Sequence, residues 1–154
     1  MNEYRTAKNS DERNTALRSL GRSRVPECIK QTLELALSTE VKEQDIYLPI
    51  GGLRSHVEGT HALWQWAQDN WATLEKKLPI GLPMLSTVVQ VVTSTFASEA
   101  KVKEIQAFFE TKETKGFNQG LAQSLDSVRA KASWLGRDRA DVEGWLVEKG
   151  YLKK

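Results

Sequence analysis

The sequence predicts an all-α fold, an α-solenoid of about eight helices stacked as antiparallel pairs. Three observations support this prediction. Apolar residues recur at spacings of three and four along most of the chain, which is the period of an amphipathic helix. Short polar turns separate these segments, and no fixed-period sequence repeat accompanies them. Linkers rich in proline, serine or glycine are absent, so residues 1–154 are predicted to form a single helical domain.

The N-terminal quarter predicts two helices. Residues 1–9 contain few apolar side chains to bury, and we expect them to fray. Ser10 is suited to cap the first helix and Gly21 to end it. Pro26 fits the first turn of the second helix, whose apolar face runs to Ser38.

The next segment, residues 44–53, is ambiguous. Ile46, Leu48 and Ile50 alternate as they would in a strand, while Pro49 weakens any helix. Because the segments on both sides are helical, a short irregular helix is the favoured interpretation.

Three of the five tryptophans lie between Thr60 and Leu78. Their spacing predicts one helix, and Trp66 lies beside the main apolar seam, which widens the buried face to cover two neighbouring helices. A helix that is buried on two sides is expected to lie inside a stack of helices. The seam itself consists of Trp64, Ala67, Trp71, Leu74 and Leu78.

The C-terminal half predicts four further helices. The run Val88–Val92 is rich in β-branched residues, but its length and its helical context favour a buried helix over a strand. Residues 102–109 form the next amphipathic segment. The most regular periodicity runs from Phe117 to Leu135, and a last short helix is predicted from about Asp138 onward, with Trp145 on its apolar face.

Composition excludes several classes of protein. Twenty-two basic and twenty acidic residues leave a formal charge of +2, which argues against a nucleic-acid partner. No apolar run approaches the roughly 20 residues that span a bilayer, so no membrane association is predicted. Cys28 is the only cysteine, is expected to be a small buried hydrophobe, and permits no intrachain disulfide. A reducing, cytoplasmic location is therefore predicted.

The two histidines superficially suggest a zinc helix. That motif needs histidines four residues apart, whereas His56 and His61 are five apart, roughly 140° around a helix. Instead, His56 is predicted to cap the tryptophan helix. Phosphate-binding loops, dinucleotide-binding turns and nucleophile elbows are also missing, so the sequence predicts neither a metal site nor a catalytic residue in this chain.

Several segments, taken in chain order, form a recognisable set that covers nearly the whole sequence. They are Ala16-Leu17 to Leu20-Gly21-Arg22, Gln44-Asp45-Ile46-Tyr47-Leu48-Pro49, Ala62-Leu63-Trp64-Gln65-Trp66 to Asn70-Trp71, Phe108-Phe109, and Ala130-Lys131-Ala132-Ser133-Trp134-Leu135 with Arg137-Asp138 and Val142 to Trp145-Leu146. Together they resemble the C-terminal helical domain of the M1 zinc aminopeptidases. The branch in question includes puromycin-sensitive aminopeptidase, the endoplasmic-reticulum aminopeptidases and the fungal alanine/arginine aminopeptidases.

This resemblance implies a bowl of HEAT-like helix pairs that folds over a separate catalytic domain and closes a peptide chamber. The family's catalytic signatures, H-E-x-x-H and G-[AG]-M-E-N, are absent here. The resemblance thus implies a non-catalytic domain whose partners are the catalytic domain and the peptide substrate, with zinc bound in the catalytic domain. An autonomous peptide- or protein-binding module is the alternative.

Two further expectations concern the contacts to substrate and the N-terminal end. Polar residues beside the irregular segment are the candidate contacts to substrate: Gln44, Asp45, Tyr47 and Arg54. For Gln44 and Asp45, capping or bracing of the loop is the alternative role. Helix pairs that would precede Ser10 in the family are missing, so we expect an uncovered apolar N-terminal end that promotes self-association.

Overall fold

The computed structural model describes residues 1–153. This range contains nine α-helices, one short 3₁₀ helix and no strand, which confirms the all-α prediction and nearly matches the expected helix count. The helices are α1 (Asn2–Thr6), α2 (Ser10–Leu20), α3 (Pro26–Leu37), the 3₁₀ helix (Glu43–Asp45), α4 (Tyr47–Leu53), α5 (Val57–Asp69), α6 (Trp71–Lys77), α7 (Pro83–Thr93), α8 (Glu99–Phe109) and α9 (Asn118–Glu148).

The helices form two layers, as in a solenoid of helix pairs. Helices α2, α4, α7 and α9 pack side by side in the first layer. The second layer contains α3, α5 with its continuation α6, and α8. The main apolar core lies between the layers. It contains the whole predicted tryptophan seam, Trp64, Ala67, Trp71, Leu74 and Leu78, and Val88 of the run that was predicted to be a buried helix.

Several predicted boundaries are confirmed. Gly21 ends α2, Pro26 occupies the first turn of α3, and Ser38 follows the last residue of that helix. Residues 44–53 are helical, in a 3₁₀ turn followed by α4. The cap of α2 differs by one position, because the side chain of Asn9, rather than that of Ser10, accepts the backbone N–H of Glu12 at 2.9 Å.

The expectation that residues 1–9 fray is wrong. Tyr4 on α1 is only 6% exposed, and its hydroxyl donates a hydrogen bond to the carbonyl oxygen of Glu40. Arg5 donates to both carboxylate oxygens of Glu40, at 2.7 and 2.9 Å, and this contact lowers the pKa of Glu40. One aromatic ring is enough to anchor the helix, because it covers a second, smaller apolar cluster. That cluster contains Leu17, Leu35, Val41 and Leu48.

The predicted single tryptophan helix is split at Asn70. This residue has φ −116° and ψ 19°, and its backbone N–H and its side-chain amide both donate to the carbonyl oxygen of Trp66, at 3.0 and 2.9 Å. An asparagine side chain that bonds the preceding turn competes with the regular helix, which explains the break. Trp64 and Trp71 nevertheless contact the same rings, Phe108 and Phe109.

The predicted last short helix is also wrong, because α9 continues without a break for 31 residues. Gly136 is the only candidate break near its middle, and a glycine inside a helix costs only about 1 kcal/mol. Its buried residues all precede Arg129. The periodic face continues to Leu135, but beyond Val128 no neighbouring helix covers it.

Cys28 is exposed on α3, so its expected burial is wrong. Its neighbour Ile29 is buried, and one residue along a helix turns the side chain by about 100°. Cys28 lies on the side of α3 that borders an open cleft between α1, α2 and α3.

Candidate functional site

The candidate site is centred on α4, in the middle of the first layer. Leu48, Ile50 and Leu53 hold this helix in the core. Tyr47 and Arg54, seven residues apart, therefore share the opposite, solvent-facing side, and both are exposed. Two turns of helix separate them by about 10 Å along the axis.

Gln44 and Asp45 lie at the N-terminal end of α4, in the 3₁₀ helix. Gln44 is exposed and Asp45 is half-buried, and both line a small polar cavity of about 90 Å³ together with Tyr4 and Arg13. Burial raises the pKa of the Tyr4 hydroxyl, an effect that Arg13 opposes and Asp45 reinforces. No side chain caps the first turn of α4, so Gln44 and Asp45 do not cap that helix, and their role in bracing the loop stays a prediction.

Arg54 belongs to a separate basic cluster at the other end of α4. Its Nη2 donates to Oγ of Ser94 at 3.4 Å, and Nζ of Lys131 donates to the carbonyl oxygen of the same serine. Ser94 follows the last residue of α7, where the helix dipole favours nearby cations. Two positive charges from α4 and α9 thus meet at the end of α7.

The structure therefore divides the four predicted residues. Tyr47 and Arg54 share one exposed face, while Gln44 and Asp45 line a different, smaller cavity. Lys131 was not predicted. It follows the buried Val128 by three positions, so it lies on the same side of α9, and that spacing is the signal that would have indicated it.

The side chains on this face are suited to binding a ligand. Arg54 and Lys131 supply cationic hydrogen-bond donors that match a carboxylate, and Tyr47 adds an exposed aromatic ring with a hydroxyl group. Among residues 1–153, no group of three or more His, Cys, Asp or Glu side chains is placed to hold a metal ion.

The two histidines have structural roles. His56 caps α5 as predicted, because its Nδ1 accepts the backbone N–H of Gly59 at 3.0 Å. The ring of His61 packs edge-on against Phe96 at a centroid distance of 5.8 Å. His56 is therefore a buried capping residue, while His61 remains exposed beside Phe96.

Over the part of the chain that the structure describes, no helix combines the length and the apolar character needed to cross a bilayer.

Comparisons with known proteins identify the family. The sequence model of the ERAP1-like C-terminal domain matches residues 1–130. Aminopeptidase 2, mitochondrial, of Saccharomyces cerevisiae is 51% identical over 142 residues, which are 92% of this chain and 15% of that protein. Aminopeptidase 2 of Candida albicans is 43% identical over 99% of this chain and 17% of its own length.

A more distant relative also matches nearly the whole chain over a small part of its own length. Endoplasmic reticulum aminopeptidase 2 of Homo sapiens is 25% identical over 149 residues, 96% of this chain and 16% of that protein. The chain thus spans less than a fifth of the length of each of these relatives. The resemblance drawn from the sequence is confirmed. The chain belongs to the ERAP1-like C-terminal domain family and corresponds to the helical C-terminal domain of the M1 aminopeptidases.

Proposed function

We propose that this chain is a non-catalytic domain that closes and shapes the peptide chamber of a zinc aminopeptidase. The proposal rests on the family match and on the small share of each relative's length that this chain covers. Relatives named as aminopeptidases contain this segment as 15% or 17% of their length, which leaves most of each polypeptide for a catalytic domain. That catalytic domain is the proposed partner of the chain, and zinc would be its cofactor.

The residues present here do not fit a zinc site. Nδ1 of His56 already accepts a backbone hydrogen bond and its ring is buried, while His61 packs on Phe96. We therefore assign no step of hydrolysis to this chain.

The first test is catalytic. The purified chain should not hydrolyse an aminoacyl-anilide and should contain no stoichiometric zinc by elemental analysis, because its residues 1–153 contain no group of three or more His, Cys, Asp or Glu side chains placed to hold a metal ion. The catalytic part of the Saccharomyces relative, assayed under the same conditions, is the positive control. Hydrolysis by the pure chain that a chelator abolishes would refute the assignment.

The exposed face of α4 is the proposed contact to peptide substrate. Arg54 and Lys131 can pair with the carboxylate of a peptide's far end, and Tyr47 can contact its last side chains. Because both side chains are exposed to solvent, each charge-assisted contact of this kind contributes about 0.2–1 kcal/mol. The proposed ligand is therefore a peptide with a free C-terminal carboxylate.

This contact predicts a charge-dependent affinity. Replacing Arg54 and Lys131 together by alanine should weaken binding of a free-acid peptide by roughly two- to thirtyfold, measured by NMR titration of the isolated chain. The matched control is Arg24→Ala, an exposed arginine outside this face. The same peptide with an amidated C-terminus should bind the unsubstituted chain as weakly as the free acid binds the double variant. Equal affinities for acid and amide would contradict the role of the two cations.

We also propose a cytoplasmic location, supported by the single cysteine, which permits no intrachain disulfide of the kind that oxidising compartments favour. The names of two relatives place those proteins in the mitochondrion and the endoplasmic reticulum. Recovery of the tagged chain inside either organelle after cell fractionation would contradict the proposal.

A further inference from the structure

The last part of α9 carries large apolar side chains that nothing covers in the described residues 1–153. We call residues 129–152 the distal arm. Trp134, Leu135, Val142 and Trp145 are each between 37% and 55% exposed. An exposed apolar surface of this extent is uncommon on a soluble domain and marks an interaction site.

The exposed residues continue the packing face of α9. Leu135 and Val142 follow the buried Val128 at successive intervals of seven residues, so all three lie on nearly the same side of the helix. In the first part of α9 this face packs against α7 and α8. The distal arm therefore presents the same kind of surface without a partner helix.

The end of the chain enlarges this surface. Gly150, at φ 76°, turns the backbone, and the N–H groups of Tyr151 and Leu152 donate to the carbonyl oxygen of Leu146 at 2.9 and 3.2 Å. The ring of Tyr151 then stacks on Trp145 with a centroid distance of 6.0 Å. The turn holds two more apolar side chains beside the tryptophan.

We propose that the distal arm pairs with the distal arm of a second copy of this chain, in antiparallel orientation. The charges beside the apolar stripe identify this partner. Arg137 and Asp141 lie along one edge of the stripe, and Arg139 and Glu143 lie along the other. Within one chain Arg137 pairs with Asp138 and Arg139 pairs with Glu143, each at 2.6 Å, so contacts between two copies would exchange with these pairs. In a two-fold antiparallel pair each edge meets the same edge of the other copy. Arginine is therefore opposite a carboxylate on both edges, an arrangement that sets partner choice and orientation in helix pairs.

The apolar residues match in the same register. With the two-fold axis near Ala140, Leu135 lies opposite Trp145 of the second copy, and Trp134 lies opposite its Leu146. Covering the exposed rings and aliphatic side chains would bury on the order of 500 Å² per copy. The total of about 1,000 Å² reaches the lower limit of a specific interface, so the expected dimer depends on concentration. This inference does not depend on the proposed aminopeptidase function.

Sedimentation equilibrium of the full chain over a range of concentrations tests the pairing. The expected result is a monomer–dimer equilibrium that Trp145→Glu weakens by at least about tenfold, since it places a charge within the apolar contact, opposite Leu135 of the second copy. Val57→Glu is the matched control, because Val57 is 70% exposed on α5, away from the distal arm. It should leave association unchanged, and circular dichroism should show native helix content in both variants.

Charge-reversal variants test whether the charged edges of the apolar stripe determine the pairing. A chain with Arg137→Glu and Arg139→Glu, and another with Asp141→Arg and Glu143→Arg, should each be monomeric, because like charges would face each other. Mixed together, the two chains should form a heterodimer. Association of either variant alone at the unsubstituted strength would overturn the proposal.

Spin-label distances test the orientation. In a Cys28→Ser background, labels at Ala140→Cys should lie closer together in the dimer than labels at Ser133→Cys. Ser133 and Ala140 are both exposed and, being seven residues apart, share the side of α9 away from the contact, but an antiparallel pair separates the two Ser133 labels by about 21 Å along the axis. Equal distances at the two positions would mean a parallel pair and would overturn the proposal. So would a chain that remains monomeric at every concentration, an association insensitive to Trp145→Glu, or an arm that binds the catalytic part of an aminopeptidase instead of a second copy.

Discussion

Replacing Gly52 by alanine should destabilise the fold by about 3 kcal/mol or more, because no flexible side chain is available to move aside. A Cβ atom at this position would lie 2.9 Å from Cα and the carbonyl carbon of Gly21 and 3.0 Å from the carbonyl oxygen of Arg18. All three are backbone atoms of α2 and its end. The alanine can be accommodated only if α2 and α4 move apart, which would also open the core beneath them.

The neighbouring residue provides the control. Gly51 lies in the same short helix, but a Cβ atom there would meet nothing within 4 Å. Gly51→Ala should therefore be neutral or stabilising by up to about 1 kcal/mol, the difference in helix propensity between the two residues. Urea unfolding followed by circular dichroism measures both variants. Equal unfolding midpoints for Gly51→Ala and Gly52→Ala would show that α2 and α4 do not pack this closely.

Trp71→Ala should destabilise the fold by about 3–5 kcal/mol, the range for removing a large buried ring. Trp71 is 4% exposed and begins α6. Its ring contacts Phe108, Phe109 and Phe117 at centroid distances of 5.8, 5.1 and 5.8 Å, each in an edge-to-face geometry. It thereby joins α6 to α8 and to the start of α9, and alanine would leave a cavity where three helices meet.

A second tryptophan serves as its control. Trp134 on the distal arm is 55% exposed, so Trp134→Ala should change the free energy of unfolding by less than about 0.5 kcal/mol when measured on dilute, monomeric protein. Urea denaturation of the two variants gives the comparison. A near-neutral Trp71→Ala would remove that ring from the core and indicate a binding role for it.

Much of the fold could be predicted because its local patterns agree with its packing. Spacings of three and four placed Trp64, Ala67 and Leu74 in the core, and the structure buries all of them. The histidine cap of α5 was likewise predictable, since a cap depends on a residue and the turn that follows it.

The errors occurred where distant contacts or competing side-chain bonds decide the structure. Tyr4 anchors α1 through Glu40, which no local pattern in residues 1–9 indicates. The break at Asn70 arises because the side-chain amide of this residue donates a hydrogen bond to the carbonyl oxygen of Trp66. In α9, the new helix predicted to begin near Asp138 corresponds to no break, because the nearby Gly136 costs a continuous helix only about 1 kcal/mol.

The candidate site was predicted only in part, for a related reason. Tyr47 and Arg54 could be placed together because they belong to one helix. Gln44 and Asp45 are adjacent to them in sequence, yet the 3₁₀ turn directs them toward Tyr4 and Arg13. The link between Arg54 and Lys131 passes through Ser94, so the spacing within α9 can place Lys131 on the packed side of that helix but does not show which residues of α4 and α7 it meets.

The anchored first helix has a practical consequence for recombinant work. Periodicity alone would suggest a shortened version that starts at Ser10. Such a version would expose Leu17 and the apolar side chains around it to solvent and would remove the Arg5–Glu40 ion pair. Expression boundaries should therefore retain Met1 to Ala7. A purification tag is better attached with a spacer ahead of Met1, so that the tag does not displace Tyr4 from its contact with Glu40.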